Sequence, residues 1–252
     1  MDSINKLPAI TISFWIMKIC ATTLGETAGD LLSMTLNIGY ALSSILLLSF
    51  FFVTLFIQLS TKKYHPIIYW GVILATSTAG TTISDFMDRT LGLGYATGSI
   101  ILVSLLAITL VIWKITEKTL AVTNITSTRG ELFYWTAILF SNTLGTALGD
   151  FLADNSGLGF AGGAILIGTL LLAIILAYKF SKISPILLFW LAFVLTRPFG
   201  ATFGDLLTKP LEKGGLNFGT IGSSAILFGI LIVLIGISMT RINQTEKDKL
   251  LL

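Results

Sequence analysis

The chain has 252 residues, of which 54% are apolar and only 12% charged, and its formal net charge is +3. An ordinary globular domain carries roughly a quarter charged residues, so this composition, with a mean hydropathy of +0.89, excludes a typical water-soluble fold and points to lipid as the solvent. A single cysteine, Cys20, and a single histidine, His65, exclude an internal disulfide and a cysteine or histidine metal cluster.

In chain order, the first fifteen residues lack a basic region and a small-residue cleavage site, so no removable signal peptide is expected. A helix needs about 20 mostly apolar residues to cross the hydrocarbon core. Eight such stretches follow, at 9–34, 37–59, 66–87, 93–114, 132–153, 158–179, 184–208 and 216–239. Tight turns join them, leaving no room for a soluble domain, and the polar tail 241–252 is expected to fray. The predicted fold is an all-α polytopic transmembrane bundle, forming one integral membrane domain over 1–252.

An even number of spans places both termini on one side of the membrane. That side carries Lys6, Lys62, Lys63, Lys114, Lys118, Arg129, Lys179, Lys182, Arg241, Lys247 and Lys249, against Arg89, Lys209 and Lys213 on the other. The bias predicts cytoplasmic termini in a cell inner membrane. Trp15, Trp70, Trp135 and Trp190 open the odd-numbered spans on the basic side, where indole rings favour the headgroup boundary. Lys18, one turn from Trp15, is expected to snorkel to the same surface.

Four segments align without gaps: WIMKICATTLGETAGD (15–30), WGVILATSTAGTTISD (70–85), WTAILFSNTLGTALGD (135–150) and WLAFVLTRPFGATFGD (190–205). Each runs from a tryptophan through a glycine to an aspartate at fixed spacing. A second glycine follows at Gly39, Gly94, Gly159 and, displaced by an insertion at 209–213, Gly219. The copies start 55, 65 and 55 residues apart, as if a duplicated half had been duplicated again. Each copy holds two spans, so eight spans become four parallel two-helix repeats, at 9–60, 65–115, 130–180 and 184–240. They are expected to show pseudo-fourfold (2+2) symmetry about the membrane normal. With its repeated tryptophans and two spans per copy, the chain resembles bacterial membrane-anchored proteins made of four tandem copies of a repeat of unknown function. The resemblance implies this architecture and brings no activity or site residues with it.

Small residues four apart recur before each aspartate (Gly25/Gly29, Gly80/Ser84, Gly145/Gly149, Gly200/Gly204) and at the start of the even spans, and predict close helix packing. Asp30, Asp85, Asp150 and Asp205 then end one polar stripe per odd span, together with Glu26, Thr27, Thr81, Thr82, Asn142, Thr146 and Thr202. An ionised side chain at the bilayer centre costs at least ~2.5–3.5 kcal/mol. Four at matched positions therefore imply a shared cavity, cation binding or protonation; the alternative is that they cap turns at the interface. Arg197 needs a carboxylate partner, and Glu26, the only acid in its register, is the expected one, with Asp205 as the alternative. Asp88 and Asp154, one turn past Asp85 and Asp150, are read as solvated turn residues, with a wider acidic mouth as the alternative.

These residues predict a transporter or channel for a small hard cation (Mn²⁺, Mg²⁺ or Na⁺/H⁺). The four aspartates serve as metal ligands, and Asp30, Asp85, Asp150, Asp205 and Glu26 as cation or proton carriers, because carboxylates and hydroxyls are hard oxygen ligands. The alternative is a carrier of a small polar or anionic solute gripped by Arg197. No enzymatic role, cofactor or nucleic-acid partner is expected. The expected partners are the lipid bilayer and a small cation or proton, with room for a homo-oligomer.

Overall fold

Apolar runs long enough for helices, with Pro66 and Pro185 at first turns where their missing N–H costs nothing, set the element pattern. Thr11 and Ser127 cap two further starts, accepting from Phe14 N at 3.4 Å and Gly130 N at 2.9 Å. In the computed structural model, which describes residues 6–125 and 127–250, the helices are α1 (Ile12–Asp30), α2 (Tyr40–Ser60), α3 (Pro66–Asp85), α4 (Gly94–Glu117), α5 (Thr128–Asp150), α6 (Gly159–Phe180), α7 (Pro185–Thr208) and α8 (Thr220–Leu250). Residues 1–5, part of the stretch read for a signal peptide, and the side chains of Lys247 and Lys249 lie outside the described residues. The backbone of the C-terminal tail does not fray as expected: α8 continues through it to Leu250.

Six of these helices, α2, α3, α4, α6, α7 and α8, are long and apolar enough to cross a membrane by length and composition. Helices α1 and α5 do not reach that measure alone, because α1 carries Lys18, Glu26 and Asp30 and α5 carries Arg129, Glu131, Asn142 and Asp150. Both sit inside the bundle. The odd helices form a closed ring, α1 on α3, α3 on α5, α5 on α7 and α7 back on α1. The even helices lie outside it with broad apolar faces exposed, such as Phe52, Phe56, Ile100, Ile165 and Ile226, the surface that lipid would cover.

The two helices of one repeat are not each other's main partners. Helix α2 packs on α3, α4 on α5, α6 on α7, and α8 returns to α1. Each repeat therefore clasps the next.

Glycines make the ring tight. A Cβ at Gly25 would overlap Ser77 on α3, one at Gly80 would press on Asn142 and Thr143 of α5, one at Gly145 would overlap Arg197 of α7, and one at Gly200 would meet Thr22 of α1. The small-residue pairs before each aspartate thus permit close approach, as expected. The recurrent glycines before the even helices do something else. Gly39, Gly94, Gly159 and Gly219 hold φ of 82°, 71°, 66° and 73°, with open space where a Cβ would stand. Their role is the left-handed turn, not packing.

The tryptophans differ from expectation as well. Trp70, Trp135 and Trp190 are buried, packed with Phe14, Tyr69, Tyr134, Phe189 and Phe193 into an aromatic layer across one end of the ring. Only Trp15 is partly exposed among the four. The close ring draws these side chains against one another rather than out to headgroups, and the hydroxyls of Tyr69 and Tyr134 meet at 2.6 Å within the layer.

Candidate functional site

Beyond the aromatic layer, the inner wall of the ring is polar. Successive turns of the odd helices stack charged residues along its axis, from the tryptophan end to the aspartate end.

The first is Lys18. It does not snorkel: it is fully buried, with its Nζ 3.4 Å from Asn142 Oδ1 and 4.1 Å from the centroid of the Phe193 ring. Phe14, one turn before it, belongs to the aromatic layer that blocks the route outward. Asn142 in turn donates to Thr76 Oγ1 at 2.9 Å.

One turn on lies Arg197, also fully buried. Its Nη2 meets Glu26 Oε2 at 2.8 Å, Thr81 Oγ1 at 2.7 Å and Thr146 Oγ1 at 2.6 Å. Glu26 is the partner, as the register of the repeats indicated, and Asp205 is not. Thr81 and Thr146 occupy the position in their own repeats that Glu26 holds in the first, so one arginine gathers three helices around a single carboxylate.

The four aspartates form the next layer. All are buried, with 2–3% exposure each, and each is joined to a cation. Arg89 pairs with Asp85 at 3.0 Å and with Asp150 at 3.0 Å; Lys209 pairs with Asp30 at 2.6 Å and with Asp205 at 3.1 Å. The acids therefore divide into two bridged couples, one spanning the second and third repeats and the other closing the fourth onto the first. Glu26, Asp30 and Asp205 bring carboxylate oxygens within 4.8 Å of one another, whereas Asp85 and Asp150 lie outside that group.

A local feature of the backbone accompanies this layer. Directly after Asp30, Asp85 and Asp150 the helices widen into a π-turn, over Leu31–Thr35, Phe86–Thr90 and Phe151–Asn155. Its closing bonds run from Leu36 N to Leu31 O, Leu91 N to Phe86 O and Ser156 N to Phe151 O. Such bulges are frequent at functional positions. In the fourth repeat α7 stays α-helical to Thr208, and the insertion forms a 3₁₀ turn over Leu211–Lys213.

The expected pathway residues separate into two sets. Thr81, Thr146 and Asn142 line the axis. Thr27, Thr82 and Thr202, though buried, bond backbone carbonyls of their own helices (Leu24, Ala79 and Pro198), and Thr27 also meets Ser224 of α8 at 2.9 Å. The reason is angular. Residues three and four before an aspartate sit 100° apart on an α-helix, and a ring this close admits only the column four before. Asp154 is exposed and accepts from Tyr95 at 3.1 Å, while Asp88, expected in solvent, is buried beside Ser84.

Lys209 lies just beyond α7 and is about four-fifths buried, with 19% of its side chain exposed. Burial works against its charge, but the carboxylates of Asp205 and Asp30 outweigh that and hold its pKa above the usual lysine range. A raised folded pKa gives stability that is fully present below about pH 10.4 and lost only as pH climbs through the higher folded value. Lys209→Met should lower unfolding free energy by about 2–3 kcal/mol, less than for a fully buried pair because of the exposure. The wild-type advantage, read as a melting-temperature difference, should be undiminished between pH 7 and about pH 9.5 and should shrink as pH rises beyond about 10.4. A difference that stays constant above that pH would show a lysine whose pKa is not raised.

Fold and site together define a class: a polytopic helical membrane protein with four tandem two-helix repeats around a buried, charged axis. The family model for Repeat of Unknown Function (DUF347) matches residues 13–64, 68–119, 133–184 and 188–241. The chain belongs to that family. No curated protein and no solved structure matches it.

Proposed function

We propose that this protein moves a small hard cation, Na⁺, Mg²⁺ or Mn²⁺, or a proton, across a membrane through the axis of its inner ring. The observation that supports this most is a charge imbalance in a buried place. Glu26 is matched by Arg197, but the four aspartates, Asp30, Asp85, Asp150 and Asp205, share only two cations, Arg89 and Lys209. An added positive charge, metal or proton, offsets the excess of acid in that layer. The oxygens of Glu26, Asp30 and Asp205 offer hard ligands for it.

Arg89 and Lys209 act in this reading as tethered counter-ions. Both reach the acids from the aspartate end and keep 31% and 19% of their side chains exposed. An arriving cation competes with them for the same carboxylates, and their withdrawal opens the site. The excess of basic residues on the tryptophan side supports cytoplasmic termini. The proposal assigns no enzymatic step, cofactor or nucleic-acid partner.

The full chain reconstituted in liposomes tests the reading, with indicators for Mn²⁺, Mg²⁺, Na⁺ and pH. Flux of at least one species above that of empty vesicles is expected. Asp30→Asn, Asp85→Asn, Asp150→Asn and Asp205→Asn should each abolish it while the protein stays monodisperse and helical. Absence of any cation or proton flux, or flux unaltered by all four substitutions, would leave the acids as interhelical locks. Uptake of an organic anion alone would favour the solute carrier built on Arg197.

A further inference from the structure

We propose that the ring axis also binds a small monovalent anion, of the halide or nitrate class, between Arg197 and Lys18. This site lies on the tryptophan side of Glu26 and does not depend on permeation.

Three observations converge on it. Arg197 is fully buried, yet only its Nη2 is engaged; Nε and Nη1 find no protein partner. A buried guanidinium with idle donors is rare, because each donor taken from water without replacement carries a desolvation cost. The second observation is Lys18, equally buried, with one long hydrogen bond to Asn142 and a ring face as its described contacts. No carboxylate pairs with it among the described residues. The third is Ser77, whose buried Oγ also lacks a partner.

Register places these groups in one layer. Ser77, Asn142 and Arg197 hold equivalent positions in the second, third and fourth repeats, and Lys18 reaches that layer through Asn142. Arg197 Nη2 lies 3.5 Å from the Ser77 carbonyl, which ties α7 to α3 at this height. The layer thus presents an amine, a guanidinium edge and a hydroxyl, all able to donate.

Charge points the same way. Two basic side chains stand beside one carboxylate here, Glu26, which pairs with Arg197, while the excess of acid lies one layer on among the four aspartates. A single monovalent anion on the basic side of that divide accepts from the idle donors. A larger organic anion does not suit a wall packed this closely, with Gly25 against the Ser77 backbone and Gly145 against the Arg197 side chain.

The experiment is a thermal-stability titration of the purified full chain with sodium bromide or chloride, against sodium gluconate at constant ionic strength. A saturable rise with the halides and none with gluconate is expected. Lys18→Met removes a buried amine that has no carboxylate partner, so it should fold well, and it should weaken bromide binding about tenfold or more. Because Arg197→Gln alone strands Glu26, the double variant Glu26→Gln/Arg197→Gln is the second arm, and it should show no saturable halide response. Crystals grown in bromide should carry an anomalous peak within hydrogen-bond reach of Arg197 Nε or Nη1. Equal shifts with gluconate, an unsaturated response, or unchanged bromide binding in Lys18→Met would overturn the proposal. Cation flux is read separately, so either result stands without the other.

Discussion

Arg197→Gln is expected to lower the unfolding free energy by about 3–5 kcal/mol, the range for removing one partner of a buried ion pair. The size follows from what remains. Glu26 is 3% exposed, and loss of the guanidinium leaves its carboxylate with only the weak 3.4 Å contacts of Thr81 and Thr146. Those two threonines also lose the donor that joins them at 2.7 and 2.6 Å. Glu26→Gln combined with Arg197→Gln removes both charges, and two amides facing one another can share a hydrogen bond. The double variant should therefore recover more than half of the loss. Equilibrium unfolding in mixed micelles measures all three variants. A double variant as unstable as the sum of its parts would show that the pair is not a unit.

Gly25→Ala is expected to cost about 2 kcal/mol, in the range for overpacking a tight interior. A methyl at Gly25 overlaps the Ser77 side chain and comes 3.0 Å from the Ser77 carbonyl carbon, so backbone must move, not a flexible tip. Gly71, on α3, supplies the control because nothing lies within 4 Å of its Cβ position. There the same substitution should be neutral or stabilise by up to about 1 kcal/mol, through helix propensity alone. The same unfolding assay separates the two. Equal effects would mean that the odd helices can move apart freely and that their close contact is not a requirement of the fold.

Much of this arrangement was legible in the residues. A gapless recurrence of tryptophan, glycine and aspartate gave the repeats, and the cost of an acid in lipid placed the four aspartates inside. The Glu26–Arg197 pair followed because Arg197 breaks a position otherwise held by threonine, serine and asparagine, and Glu26 is the one acid at a position otherwise held by threonine and alanine. What escaped is equally specific. Topology alone places Arg89 and Lys209 among the few charges on the side away from the termini, though each stands four residues after an aspartate and the two are 120 residues apart. Those spacings carry the two bridged couples. Spacing from Trp15 alone points Lys18 to the surface, because the aromatic layer closing that route is made by residues distant in the chain. Periodicity likewise could not separate Thr27, Thr82 and Thr202 from Glu26, Thr81 and Thr146. It defines a face of one helix, while the division within that face comes from the neighbours.

The clasp between consecutive repeats constrains the order in which the molecule can be made. The first helix emerges with a lysine, a glutamate and an aspartate, and falls short of spanning by its own apolarity. Its arginine partner on α7 lies 171 residues downstream, and α8, which covers its outer flank, is made later still. Until α7 and α8 exist, α1 has neither its counter-charge nor its cover. Its settled place in the bundle depends on helices synthesised well after it, so the ring closes late rather than one hairpin at a time.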